Sequence, residues 1–276
     1  MNKINKYIFV IIIFIFSLYY THKSMDILKL KDPLMKEIKN NTEKYNIEPV
    51  NAIIKGNIII PGKNGQEVDI EKTYEKMREY GTYNEGLTKI KETKPVISIT
   101  NNYDKYIKLT NNDSKKISII FILNKDTNIN NLINIIDKNN INVTFYIEDE
   151  FIEENIDFIK NTKHEIELLN PKKHLFTSTK AYLESLTSTE LKYCLSEEEN
   201  IELLEQCQNN KMHTVIPSLI IKKELYKNIK SNIETSPIIL IYPNKYIEKE
   251  LTTTINYLKK KGYDFLYLKD LLTEEQ

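Results

Sequence analysis

From residue 117 onward the chain repeats one pattern. A short run of Ile, Val, Leu, Phe and Tyr is followed by a stretch in which apolar residues return every three or four positions. The dense runs fall at 117–123, 142–147, 165–169, 191–195, 212–216, 237–242 and 264–268, and their length and β-branched content predict seven strands. The stretches between them predict helices. Ile129, Leu132, Ile133 and Ile136 lie on one face before the Asn139–Asn140 stop. Phe151, Ile152, Ile156 and Ile159 form a second face, Ile201, Leu203 and Leu204 a third, and Leu251, Ile255 and Leu258 a fourth that ends at Gly262. Strands alternating with helices predict parallel pairing through right-handed crossovers, in a doubly wound sheet or a distorted (β/α) barrel. Periodicity alone leaves both open.

The first half of the chain is patterned differently. Residues 7–20 are an unbroken apolar run behind Lys3 and Lys6, the layout of a signal sequence or signal anchor. No small-residue cleavage pattern follows and the run ends on Tyr19 and Tyr20, so the expectation is an uncleaved single-pass anchor over 1–22, with everything after it outside the cytoplasm. Lys- and Glu-rich sequence over 21–46 reads as a helical stalk. Two short strand-type runs, 51–54 and 57–60, precede a turn signal at 61–65. Asp69 then caps a helix that Gly81 stops. Residues 94–100 read as another strand. The domain expectation is therefore an anchor over 1–22, a stalk and small αβ region over 23–100, and the repeating α/β unit over 101–276.

Composition removes several functions. Lys plus Arg equals Asp plus Glu, so no net field draws the chain to nucleic acid. The six glycines form no phosphate-binding loop. Ser218 lacks a nucleophile-elbow context, His213 has no triad partner in sight, and no nucleophile–base pair stands out. Cys194 and Cys207 are too few for a disulfide framework and read as buried small hydrophobes, although they could pair outside the cell.

Residues 141–147 (Ile-Asn-Val-Thr-Phe-Tyr-Ile), the His164-Glu165-Ile166 strand start, and residues 258–265 (Leu-Lys-Lys-Lys-Gly-Tyr-Asp-Phe) together resemble the polysaccharide deacetylase domain, the carbohydrate esterase domain of chitin, chitooligosaccharide and peptidoglycan deacetylases. The resemblance spans 117–272 and implies a distorted barrel of about seven parallel strands. It also implies a divalent-metal site, which this sequence does not keep. The family's T-F-D-D-G strand end, which supplies the general base and a metal ligand, falls on Ile122 and Leu123. Its H-S/T-x-x-H motif falls on Leu169, Asn170 and Lys173. Its L-x-H, whose His is the general acid, falls on Tyr242. Its R-x-P-Y/F-G segment falls near 191–197, yet Arg78 is the only arginine of the chain.

Such a metal needs about three N or O ligands and an open position for the water it acidifies. Ile122, Leu123 and Leu169 offer no lone pair, and Lys173 would bring positive charge toward the ion. The expectation is a degenerate deacetylase-like protein with no catalytic residues and no cofactor, which binds cell-wall polysaccharide or a protein partner through the barrel mouth, with Tyr242 placed to stack on a sugar. An apolar plug of Ile122, Leu123 and Leu169 would favour the partner. The alternative is an active metal-dependent N-deacetylase that holds Zn²⁺ or another divalent ion through relocated ligands, Asp126, His164 and His174. Each has a plainer reading: Asp126 as a helix cap, His164 as a packing residue, His174 as a loop residue one place beyond the lost motif. Glu165 and Glu167 share a strand face and read as a solvated edge.

Overall fold

The computed structural model describes residues 3–111, 115–169, 171 and 173–275. In chain order the elements are helices α1 (Lys3–Lys31) and α2 (Pro33–Asn40); strands β1 (Ile53–Lys55), β2 (Ile58–Ile60) and β3 (Gly65–Val68); helix α3 (Ile70–Arg78); and strands β4 (Ile90–Thr93), β5 (Tyr106–Ile107) and β6 (Lys116–Leu123). Then come α4 (Ile129–Lys138), β7 (Thr144–Ile147), α5 (Asp149–Glu154), α6 (Ile156–Asn161), β8 (Glu165–Leu168), α7 (Phe176–Thr187), β9 (Tyr193–Leu195), α8 (Ile201–Asn209) and β10 (His213–Val215). The chain closes with β11 (Leu219–Ile221), α9 (Leu225–Asn232), β12 (Ile238–Ile241), α10 (Lys245–Lys260), β13 (Asp264–Phe265) and α11 (Leu268–Leu272).

Two compact units result, one of residues 1–49 and 64–94, the other of 50–63 and 95–276. The smaller unit holds α1, α2, α3 and the antiparallel β3–β4 pair, with Leu34, Met35, Ile38, Tyr74 and Met77 as its core. Asp69 caps α3 by accepting from the Lys72 amide at 3.1 Å, and Gly81 takes the positive φ that ends it. Asp32 caps α2 and also accepts from the Tyr74 hydroxyl at 2.7 Å.

The segment expected to be an anchor lies in helix α1. The helix runs unbroken from the apolar run into the polar segment, carrying Lys29 and Lys31 in its last turn. Among the described residues no helix is long and apolar enough to cross a membrane.

The larger unit is a mixed α/β fold on parallel sheets. One sheet has the order β1-β2-β5-β10-β9 and the other β11-β12-β6-β7-β8, with β13 added beside the start of β6. Every pairing here is parallel except the β1–β2 hairpin. Residues 50–63, grouped with the stalk region by sequence, therefore belong to this unit's sheet. The expected strand at 94–100 is absent and a single 3₁₀ turn, Ile99–Asn101, stands there. Strand β11 and helix α7 were not foreseen. Three-residue strands and weakly periodic helices leave little pattern to read.

Period-two alternation sorts the side chains of β6. Ile117, Ile119, Phe121 and Leu123 face the helix layer and join a cluster with Leu132, Ile136 and Leu251, all buried. Ile120 and Ile122 face the opposite sheet and pack in a second cluster with Ile59, Ile107, Tyr146, Leu195, Val215 and Leu240. The second cluster is the space between the sheets.

The ring of strands is interrupted between β8 and β9, which share no ladder. A side chain bridges the gap instead. The Glu167 carboxylate, 2% exposed, accepts from the Lys192 amide at 3.1 Å and the Tyr193 amide at 3.4 Å. The Tyr146 hydroxyl adds a bond to the Tyr193 carbonyl at 3.2 Å. Glu165, half-buried, accepts from the Thr144 hydroxyl and from the Leu268 and Lys269 amides at 2.7 and 3.2 Å, holding the start of α11. The solvated reading of this pair is thus overturned: backbone N–H groups left over at the seam need acceptors, and these two side chains supply them. Burial pushes both carboxyls up from the usual range, Glu167 the further of the two.

Cys194 and Cys207 form a disulfide, joining β9 to the last turns of α8. This corrects their reading as unpaired hydrophobes. Both sulfurs are buried, so composition and spacing gave the right location and missed the bond.

Candidate functional site

Parallel strands gather their carboxyl ends on one side of a sheet, where loops and helix starts collect. Here the ends of β6, β7, β8, β9 and β12 surround a cavity of about 560 Å³, lined by Ile122, Leu169, Leu175, Leu195, Tyr242, Glu197 and the consecutive acids Glu148, Asp149 and Glu150. The backbone ladder places three of these directly. Glu148 N–H donates to Leu123 O at 3.1 Å, Leu169 N–H to Ile147 O at 2.9 Å and Tyr242 N–H to Ile221 O at 3.0 Å.

The cavity is apolar on its floor and acidic at its rim. Ile122 and Leu195 are buried within the inter-sheet cluster, and Leu169 and Tyr242 pack on it partly buried. Tyr242 donates its hydroxyl to Glu197 Oε1, and Lys222 Nζ lies 3.2 Å from Glu197 Oε2 and 4.6 Å from the Tyr242 ring centre. The Tyr242 bond, followed by that of Lys222, holds the Glu197 carboxyl below its ordinary value, whereas burial and Glu197 push the Tyr242 phenol up. Glu150 pairs with Lys125 at 3.3 Å. Burial also raises the Glu148 carboxyl, with Glu150 adding to it.

Of the positions where the deacetylase motifs fall, the structure brings Ile122, Leu169 and Tyr242 together on this cavity. Leu123 is elsewhere. Its side chain is fully buried in the helix-facing cluster, because neighbouring strand residues point to opposite faces. The apolar floor therefore lacks one of the three residues expected in it, and the floor does not fill the cavity. The backbone of Lys173 opens a 3₁₀ turn, Lys173–Leu175, while its side chain and Asn170 lie outside the described residues.

The relocated ligands do not assemble. His164 sits at the opposite, amino end of β8, buried against Phe145 and Tyr267, with its Nε2 3.3 Å from Asp137 Oδ1. Burial lowers its pKa despite that carboxylate. His174 is exposed in the Lys173–Leu175 turn. Asp126 is exposed in the loop after β6, and it does not cap α4: Asn128 does, accepting from the Asn131 amide at 3.3 Å, while Asn124 accepts from the Asp126 amide. Among the described residues no group of three or more His, Cys, Asp and Glu side chains is placed to hold a metal ion.

His213 is stacked on Tyr103 with ring centres 4.3 Å apart, and burial lowers its pKa to about 4. It is a packing residue at the start of β10. Sequence reasoning missed Glu148, Glu197 and Lys222. A Glu one place past a strand run was the available signal for Glu148. Nothing local announced that Glu197 and Lys222, from two loops, would meet on Tyr242.

No family model matches the chain. A curated relative, the uncharacterized protein YlxY of Bacillus subtilis (strain 168), is 29% identical over 134 residues, which is 47% of this chain and 41% of that protein. The match thus spans less than half of the relative's length. Among solved structures, wild-type BA3943 of Bacillus anthracis, a family 4 carbohydrate esterase pseudoenzyme, superposes with a TM-score of 0.65 and 21% identity over 89% of this chain and 96% of that one. A BA3943 mutant with restored enzymatic activity gives 0.64 and 21%, over 89% and 100%. The Bc1960 peptidoglycan N-acetylglucosamine deacetylase gives 0.55 and 16%, over 62% and 95%. The chain has the fold of the family 4 carbohydrate esterases, the polysaccharide deacetylases, including a member without native activity.

Proposed function

We propose that this protein is a deacetylase-like protein that does not catalyse deacetylation and that uses the cavity at the strand ends to bind cell-wall glycan outside the cytoplasm. One observation carries the reading: hydrocarbon side chains, Ile122 and Leu169, line the cavity where the resemblance calls for a base and a metal ligand. A metal-activated water needs donors that hold the ion and leave one position open. Proton transfer needs a group that can give or take the proton, and the Tyr242 phenol is held protonated by burial and Glu197. A half-buried aromatic ring above an apolar floor is, by contrast, suited to the C–H face of a sugar. The cavity is open, which favours a chain-like glycan over a plugging protein segment as occupant.

The extracytoplasmic location is supported by the disulfide, since such bonds persist in oxidising compartments. It is further supported by the apolar side chains of α1 from Ile11 to Tyr20. All of them are exposed within this chain, and they would find cover at a lipid surface. Purified full-length protein is expected neither to bind Zn²⁺ stoichiometrically, by calorimetry, nor to release acetate from N-acetylated glycan. Acetate released in proportion to added metal would overturn the reading.

A further inference from the structure

Four acids ring the cavity, and they are not equivalent. Glu197 is committed to Tyr242 and Lys222, Glu150 to Lys125, and Asp149 is engaged as well. Glu148 stands apart. It occupies the N-cap position of α5, where a side chain ordinarily turns back to accept a helix amide, yet it makes no such bond. Glu148 lines the cavity together with Ile122 and Leu169, half-buried. Its carboxylate makes no hydrogen bond or ion pair among the described residues, and Lys125, paired to Glu150, acts on it only through its charge. Burial has already removed part of its water without supplying a partner, as the upward shift of its pKa reflects.

We propose that the cavity selects sugars carrying a free amine, the de-N-acetylated form of an amino sugar, with the ammonium paired to Glu148 and the ring C–H face resting on Tyr242 and the apolar floor. This rests on the glycan-binding reading above and specifies which glycan. An ammonium presents three N–H donors and a full positive charge to a carboxylate that has no hydrogen-bond donor and only the more distant charge of Lys125. An acetamide offers one N–H and no charge, and it brings a carbonyl oxygen that repels the carboxylate. The protein would then recognise the product of N-deacetylation without performing the reaction.

Calorimetric titration of the full chain with a glucosamine oligomer and with its fully N-acetylated counterpart tests this in near-neutral buffer. The amine form is expected to bind at least about tenfold more tightly, the scale of a charge-assisted bond in a partly dry site. Glu148→Gln, isosteric and uncharged, is expected to abolish the preference at an unchanged melting temperature. Should that variant fail to fold, Glu148→Asp, which keeps the charge, is expected to retain a reduced preference. Equal or tighter binding of the acetylated oligomer would overturn the inference while leaving glycan binding in place. A preference that survives in Glu148→Gln would also overturn it. Binding of neither oligomer would remove both this inference and the reading it rests on.

Discussion

Glu167 is a single side chain that does the work of a missing strand pairing. It is ionisable, and burial, with Glu165 nearby, raises its carboxyl well above the ordinary range in the folded state. A group whose folded pKa exceeds its unfolded pKa favours folding most at low pH, and that contribution is lost as pH climbs from the unfolded value, about 4.3, through the folded one. Glu167→Gln removes the titration and keeps one acceptor oxygen for the Lys192 or Tyr193 amide. The melting temperature of the variant relative to wild type is therefore expected to rise as pH increases from mildly acidic to neutral. A difference that stays constant across that range, in matched thermal scans, would show that the carboxyl does not titrate as its surroundings require.

At the scale of elements, helix starts and stops were the most legible features. Asp69 and Gly81 bound α3, and Asn139 and Gly262 end α4 and α10, each for a local reason that spacing reveals. Strands β6, β7 and β12 were legible because buried parallel strands are nearly all apolar. The β8–β9 seam was not, since a break in hydrogen bonding leaves no mark on periodicity. The alternation within β6 was available and went unused: Leu123 and Ile122 could not both face one cavity. The disulfide was also hidden, because pairing depends on β9 and α8 lying side by side. It closes a short loop, with a sequence separation of 13. Loop entropy then assigns it about 3 kcal/mol. The double variant Cys194→Ala with Cys207→Ala should lose an amount of that order in urea unfolding, and a loss near zero would show that packing alone holds β9 to α8.

At the scale of the larger unit, its two ends meet. Near the C-terminus Glu274, buried, accepts from the Gly62 amide at 2.7 Å, from the Ile99 amide at 3.2 Å and from the Ser98 hydroxyl. Gly62 has no room for a side chain: a Cβ there would lie 2.2 Å from the Val50 carbonyl oxygen and 2.7 Å from the Ala52 nitrogen. Gly62→Ala is expected to destabilise by about 1–3 kcal/mol, the range for forced overpacking, read as an earlier urea midpoint. An unchanged midpoint would mean the segment 50–63 shifts freely. The residues that Glu274 joins are separated by up to 212 positions, and closing so long a loop is slow compared with forming local helices. During synthesis the first hairpin would stay unsecured until residue 274 has left the ribosome, so a nascent chain halted before that glutamate would emerge as a substrate for chaperones and proteases.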